Sequence, residues 1–185
     1  MNDQRVLGLD NSTRSTGWAV VDVINGEPRL VANGLIKRGR SKDDVAKFLI
    51  DFETKVEQIL NEYSPEVIAA EQMFVGGNRT TAMHLAYVHG VMLLVAGKHE
   101  VPVVYYQPMT AKSVVLDGLT LKRADGQWKK GKELKLEVQR KVYEILGERA
   151  FTGEVTDDVT DAASMALTYW RLDGHEAEGG KRRKR

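Results

Sequence analysis

The chain has 185 residues, 42% of them hydrophobic, with 27 basic and 26 acidic groups and a formal net charge of +1. That balance fits one globular domain with a sizeable core, no run reads as long enough to cross a bilayer, and the absence of cysteine excludes disulfides, thiolate catalysis and the usual zinc sites. Charge is uneven: residues 181–185 are all basic, so residues 1–180 hold 22 basic against 26 acidic groups, a formal −4, and a mildly acidic body carries a basic tail suited to phosphate. We read residues 1–172 as one domain and 173–185 as a flexible basic tail. The N-terminus shows neither a secretory nor a transit-peptide pattern, which makes a cytoplasmic location the expectation.

In chain order, Val6 to Asp10, Thr16 to Ile24 and Leu30 to Lys37 read as strands, the last two joined through the turn residues Asn25-Gly26, so an antiparallel meander opens the fold. Ser41 is suited to cap a helix whose apolar positions run at helical spacing from Val45 to Tyr63. A strand over Glu66 to Glu71 follows, then a helix from about Thr80 to His99 that is apolar nearly all round, then a strand over Val101 to Tyr106. Ala82, Ala86, Gly90 and Gly97 make that helix suitable for burial within the monomer or for a dimer seam, and burial is the preferred expectation. A short helix near Thr110 to Leu116, a polar stretch over 117–132, a helix carrying Leu134, Val138, Val142, Ile145 and Leu146, and a last helix from Asp157 to about Arg171 complete the chain. The order βββαβαβ plus C-terminal helices predicts an α/β fold of three layers around a mixed five-stranded sheet, an RNase H-like arrangement.

Acidic residues are informative by position. Asp10 ends the first strand, and Glu71 ends the apolar run Val67-Ile68-Ala69-Ala70; if those strands are neighbours, both acids leave the same edge of the sheet. Asp158 and Asp161, three apart on the last helix, share a face, whereas Asp157 points about 100° away toward solvent. None of these motifs contains a compensating base, so convergence of the four would be strongly repulsive without cations between them. Oxygen ligands without Cys or suitably spaced His favour Mg²⁺ or Mn²⁺ over zinc. His84, His89, His99 and His175 lack ligand spacing and read as packing or surface residues.

With these residues in view, the segments "VLGLDNSTRSTGWAVVD", "VIAAEQMFVGGNRTTAMHLAYVHGV", "PMTAKSVV" and "DDVTDAASMAL" together resemble the RuvC family of Holliday-junction resolvases, within the RNase H-like superfamily. The resemblance covers about Val6 to Trp170. It implies a homodimeric, structure-selective endonuclease that makes paired nicks in branched DNA and leaves 5′-phosphate and 3′-hydroxyl ends. It implies that Asp10, Glu71, Asp158 and Asp161 are the catalytic, metal-binding acids, with two Mg²⁺ per site and Mn²⁺ as a substitute. It also implies that Lys112 and Lys135 lie near the DNA backbone and that Phe74 approaches the bases at the junction centre. The chain departs from the family pattern where Asp10-Asn11-Ser12 replaces Asp-Pro-Gly, and where the connection "LDGLTLKRADGQWKKGKE" is long, features of a divergent, phage-type member.

Within the long connection, Lys122, Arg123, Lys129, Lys130 and Lys132 surround Trp128, a combination suited to phosphate contacts with a stacking platform for an unpaired base. Two other classes compete with the nuclease reading. One is a non-catalytic nucleic-acid scaffold on the same fold, which retention of four acids disfavours. The other is an actin-like nucleotide-binding protein, suggested by "GLDNSTRSTGWAVV", for whose second domain the length leaves no room.

Overall fold

A computed structural model describes residues 3–38, 45–73, 79–117 and 131–174. Strands β1 (Gln4–Asp10), β2 (Ser15–Ile24) and β3 (Glu27–Lys37) form the expected meander; Asn25 and Gly26 both take positive φ, as a tight hairpin turn between twisted strands requires. Helix α1 (Val45–Tyr63), strand β4 (Val67–Glu71), helix α2 (Arg79–Lys98) and strand β5 (Val103–Tyr106) follow. Helices α3 (Pro108–Val115), α4 (Gly131–Leu146) and α5 (Asp157–Leu172) close the fold, with a single 3₁₀ turn at Glu148–Ala150 that the sequence did not announce. Ser41 and the long connection over 118–130 lie outside the described residues.

The sheet order is β3-β2-β1-β4-β5, antiparallel through the meander and parallel from β1 to β5. Alternation of side chains divides the core in two. Leu7, Leu9, Trp18, Val20, Ile68 and Ala70 face α1 and α2, while Val6, Ala19, Val21, Val67 and Ala69 face α3, α4 and α5. Fully buried residues such as Leu7, Phe52, Ile68 and Leu167 hold these layers together, each by roughly 1.5–3 kcal/mol through removal from water. The three-layer α/β architecture predicted from element order is thus the observed one.

Two elements need correction. Helix α2 is long and apolar enough to span a membrane by length and composition, contrary to the expectation that no run is, yet it cannot do so: it joins β4 and β5, parallel neighbours in one sheet, and one of its faces, Val88, Met92, Val95 and Ala96, lies in the core. Nor is it buried all round. Met83, Tyr87, Leu93 and Leu94 are exposed, and nothing stands within 4 Å of a Cβ built on Gly90 or Gly97. A helix packed on only one side of a sheet can bury only one stripe, and α2's apolar composition exceeds that stripe. At the C-terminus, Tyr106 Oη donates to the Asp173 carboxylate and Gly174 N–H to the Tyr169 carbonyl, so the packed body continues to residue 174.

Candidate active site

Strand parity places the first two acids. Asp10 follows Val6 and Gly8 on the α5 side of the sheet, Glu71 follows Val67 and Ala69 on that same side, and the parallel register Leu9↔Ala70 makes the two acids cross-strand neighbours at adjoining strand ends. Asp158 and Asp161 come from the first turns of α5, which lies directly across β1 and β2. That approach is possible because Gly8 and Gly17 have no side chain: a Cβ on Gly17 would stand 1.9 Å from the Asp158 carbonyl oxygen, and one on Gly8 2.0 Å from that of Ala162. On the helix side, Ala162, Ala163 and Ala166 are small and fully buried. Four carboxylates therefore meet at one sheet edge.

The electrostatics follow from this crowding. Burial, then Glu71, Asp161 and Asp158, push the Asp10 carboxyl up to about 8 against the partial relief of Lys135. Glu71 is raised by burial and by Asp161, and Asp161 by burial, Asp157 and Asp158, with Lys112 and Lys135 opposing both. Those lysines, from α3 and α4, supply the compensation absent from the acidic motifs themselves. Lys135 Nζ stands 3.6 Å from Asp157 and 3.8 Å from Asp161; burial draws its ammonium down, but Asp161 and Asp157 outweigh it and leave it raised. Asp157 is exposed as expected, though it meets Lys135 as well as water.

Among the described residues, no group of three or more acids or histidines is already drawn into metal-ligating geometry. The donor set nevertheless fits hard divalent cations: it is all oxygen, it converges, and burial and mutual repulsion hold Asp10, its most buried member, well above the usual carboxylate range, a penalty that added positive charge relieves. His89 is buried in α2 with its ring 5.9 Å from that of Tyr105, away from the acids, in keeping with a packing role.

Of the expected DNA-contacting residues, Lys112 and Lys135 lie beside the carboxylates, and Lys132 is exposed one turn before Lys135 on α4. Phe74, Lys122, Arg123, Trp128, Lys129 and Lys130 lie outside the described residues. Sequence reading missed Gly8, Gly17 and Ser15. The first two carried a signal, glycine inside an otherwise strand-like run, which marks close backbone approach. Ser15, whose hydroxyl donates to Asp158 Oδ2, carried none.

Comparison with known proteins gives a consistent result. Residues 6–169 match the family model described as crossover junction endodeoxyribonuclease RuvC. The chain is similar to the protein of that name from Hydrogenovibrio crunogenus, with 31% identity over 91% of this chain and 88% of that one, and to its counterpart from Chromohalobacter salexigens, with 31% identity over 89% and 79%. Among solved structures it is similar to T. thermophilus RuvC in complex with a Holliday junction substrate, with a TM-score of 0.74 and 25% identity over 91% of this chain and 93% of that one.

Proposed function

The chain belongs to the family of crossover junction endodeoxyribonucleases named RuvC, and from that premise we propose that it resolves four-way and related branched DNA by hydrolysing one phosphodiester in each of two symmetry-related strands. The observation that carries the reading is the convergence of Asp10, Glu71, Asp158 and Asp161 at one sheet edge.

These four acids would hold two divalent cations, Mg²⁺ with Mn²⁺ as a substitute, which supply Lewis acidity at the scissile phosphate and a more acidic water. Asp10, flanked by Glu71 on the neighbouring strand and by the α5 acids, would be the acid common to both cations. Lys112 and Lys135 attract the phosphodiester and offset carboxylate repulsion before DNA arrives. Lys132 extends the same basic line along α4. Phe74 at the junction centre, and Trp128 with its flanking Lys122, Arg123, Lys129 and Lys130 on the bases and phosphates, complete the proposed DNA surface. A cytoplasmic site of action agrees with a DNA substrate.

Paired nicks require two sites, and the exposed face of α2 supports a two-fold homodimer. Met83, Ala86, Tyr87, Gly90, Leu93, Leu94 and Gly97 are all exposed at helical spacing. An antiparallel crossing at Gly90 would set Met83 against the partner's Gly97, Ala86 against the partner's Leu94 and Tyr87 against the partner's Leu93. Two of these pairs set a large residue against a small one, and Tyr87 with Leu93 adds an apolar contact on either side of the two-fold axis.

The deciding experiment incubates the protein with synthetic four-way, three-way and linear duplex DNA in Mg²⁺, Mn²⁺ or chelator and maps the ends. Symmetric metal-dependent nicks with 5′-phosphate and 3′-hydroxyl termini on the four-way substrate are expected. Junction binding without nicking under every condition would favour the scaffold reading instead.

A further inference from the structure

Ser12 stands where the family pattern has glycine, and its hydroxyl organises the turn between β1 and β2. Ser12 Oγ accepts from Ser15 N–H at 3.0 Å and from Arg14 N–H at 3.2 Å, and donates to the Ser15 carbonyl. Both backbone polar groups of Ser15 are thereby fixed. Its side chain lies on the same face of β2 as Gly17, under the first turn of α5, and its hydroxyl donates to Asp158 Oδ2. The residue on the other side of this bond is held at its backbone, because the Asp158 carbonyl rests on Gly17 with no room for a methyl group.

A carboxylate oxygen that accepts a hydroxyl bond is a weaker and less free metal donor than its companion. Asp158 then offers Oδ1, and the two-oxygen bite is disfavoured. Mg²⁺ demands near-octahedral coordination by single oxygens, whereas Ca²⁺ accepts bidentate carboxylates and higher coordination numbers. Groups that hold a ligand in this way typically change metal affinity by tenfold or more when removed.

We propose that Ser15 is a positioning residue that presents Asp158 to a divalent cation through one oxygen and so sets the site's preference for a small octahedral ion over a larger one. The proposal deepens the metal-dependent reading above and rests on it. Its test needs no cleavage: Mn²⁺ binding to the full chain, free of DNA, is followed by the electron paramagnetic resonance of unbound Mn²⁺, with Mg²⁺ and Ca²⁺ as competitors.

Ser15→Ala should move the ratio of Ca²⁺ to Mg²⁺ competition toward Ca²⁺ by about tenfold, while Ser15→Thr, which keeps the hydroxyl, holds the parental ratio. Thermal melts check that each variant is folded. If Ser15→Ala does not fold, Ser15→Val against Ser15→Thr gives the same contrast, since the two differ in the hydroxyl at nearly constant shape. An unchanged ratio in Ser15→Ala or Ser15→Val, with Asp158→Asn clearly weakening Mn²⁺ binding, overturns the role of Ser15 and leaves the metal site standing. Parental Mn²⁺ binding in both Asp10→Asn and Asp158→Asn overturns the two readings together.

Discussion

Helices α2 and α5 are both apolar and both rich in small residues, yet the fold uses them in opposite ways. In α5 the small residues Ala162, Ala163 and Ala166 are completely buried, and the helix backbone lies almost on the sheet, at Ala162 and Ala166 over Gly8 and at Asp158 and Val159 over Gly17. In α2 the corresponding residues Ala86, Gly90 and Gly97 face outward with open space beyond the glycines, beside exposed Leu93 and Leu94. Close approach in α5 brings Asp158 and Asp161 within electrostatic reach of Asp10. The outward stripe of α2 suits a second copy of the chain. The same composition therefore supports an acidic cluster, the proposed active site, in one place and leaves an exposed apolar stripe, the proposed dimer surface, in another.

The sharpest test of the α5 half removes the acid at its centre. Asp10→Asn should lower junction cleavage by at least about a thousandfold, or ~4 kcal/mol of transition-state stabilisation, while junction binding persists. Gel-based cleavage and binding assays on one substrate would show this, and near-normal nicking would break the comparison on that side. Asp158→Asn and Asp161→Asn should each cost far more activity than Asp157→Asn.

The support itself is tested by Gly8→Ala. The added methyl must displace the α5 backbone, and a stability loss of about 3 kcal/mol or more is expected in denaturant titration. Little change would mean that α5 has freedom the packing denies.

Titration of the acids gives the next effect. The Asp10 carboxyl of the folded, metal-free protein is raised from 3.8 to about 8, so between those values the native state holds a proton the unfolded chain has released. Stability must therefore fall as pH rises through that window, by about 2–3 kcal/mol in total once the limiting slope of ~1.4 kcal/mol per pH unit is softened by solvent and the nearby lysines. Thermal melts from pH 4 to 8 in chelator should show the decline, Mg²⁺ should reverse it most at the alkaline end, and Asp10→Asn should flatten it.

On α2, Leu93→Glu should leave monomer stability within about 0.5 kcal/mol but weaken self-association by roughly 2 kcal/mol or more, about thirtyfold. Sedimentation across a concentration series reads it directly. A parent that stays monomeric, alone and on junction DNA, would remove the dimer from the comparison altogether.

The smallest effect is the most diagnostic of the contrast between glycines. Gly90→Ala occupies open space in a helix interior and should raise monomer stability by about 0.8 kcal/mol, the opposite sign to Gly8→Ala, while slightly loosening the dimer.

Much of this molecule is legible in its sequence. Local rules suffice for the Asn25-Gly26 hairpin, for the alternation of strand and helix that makes β1, β4 and β5 parallel, and for Asp158 and Asp161 sharing a helix face, because periodicity and turn chemistry act over a few residues. Asp10 and Glu71 could be nominated as strand-terminal acids, since a carboxylate ending a buried apolar run needs a reason. What sequence could not decide was who stands opposite whom. That Lys112 and Lys135 temper the acids, that Ser15 reaches Asp158 across 143 positions, and that α2 keeps Met83, Tyr87, Leu93 and Leu94 outside the core all depend on how elements distant in sequence come together. Periodicity says which residues of a helix share a face, but only packing fixes which face is covered, by what, and at what distance.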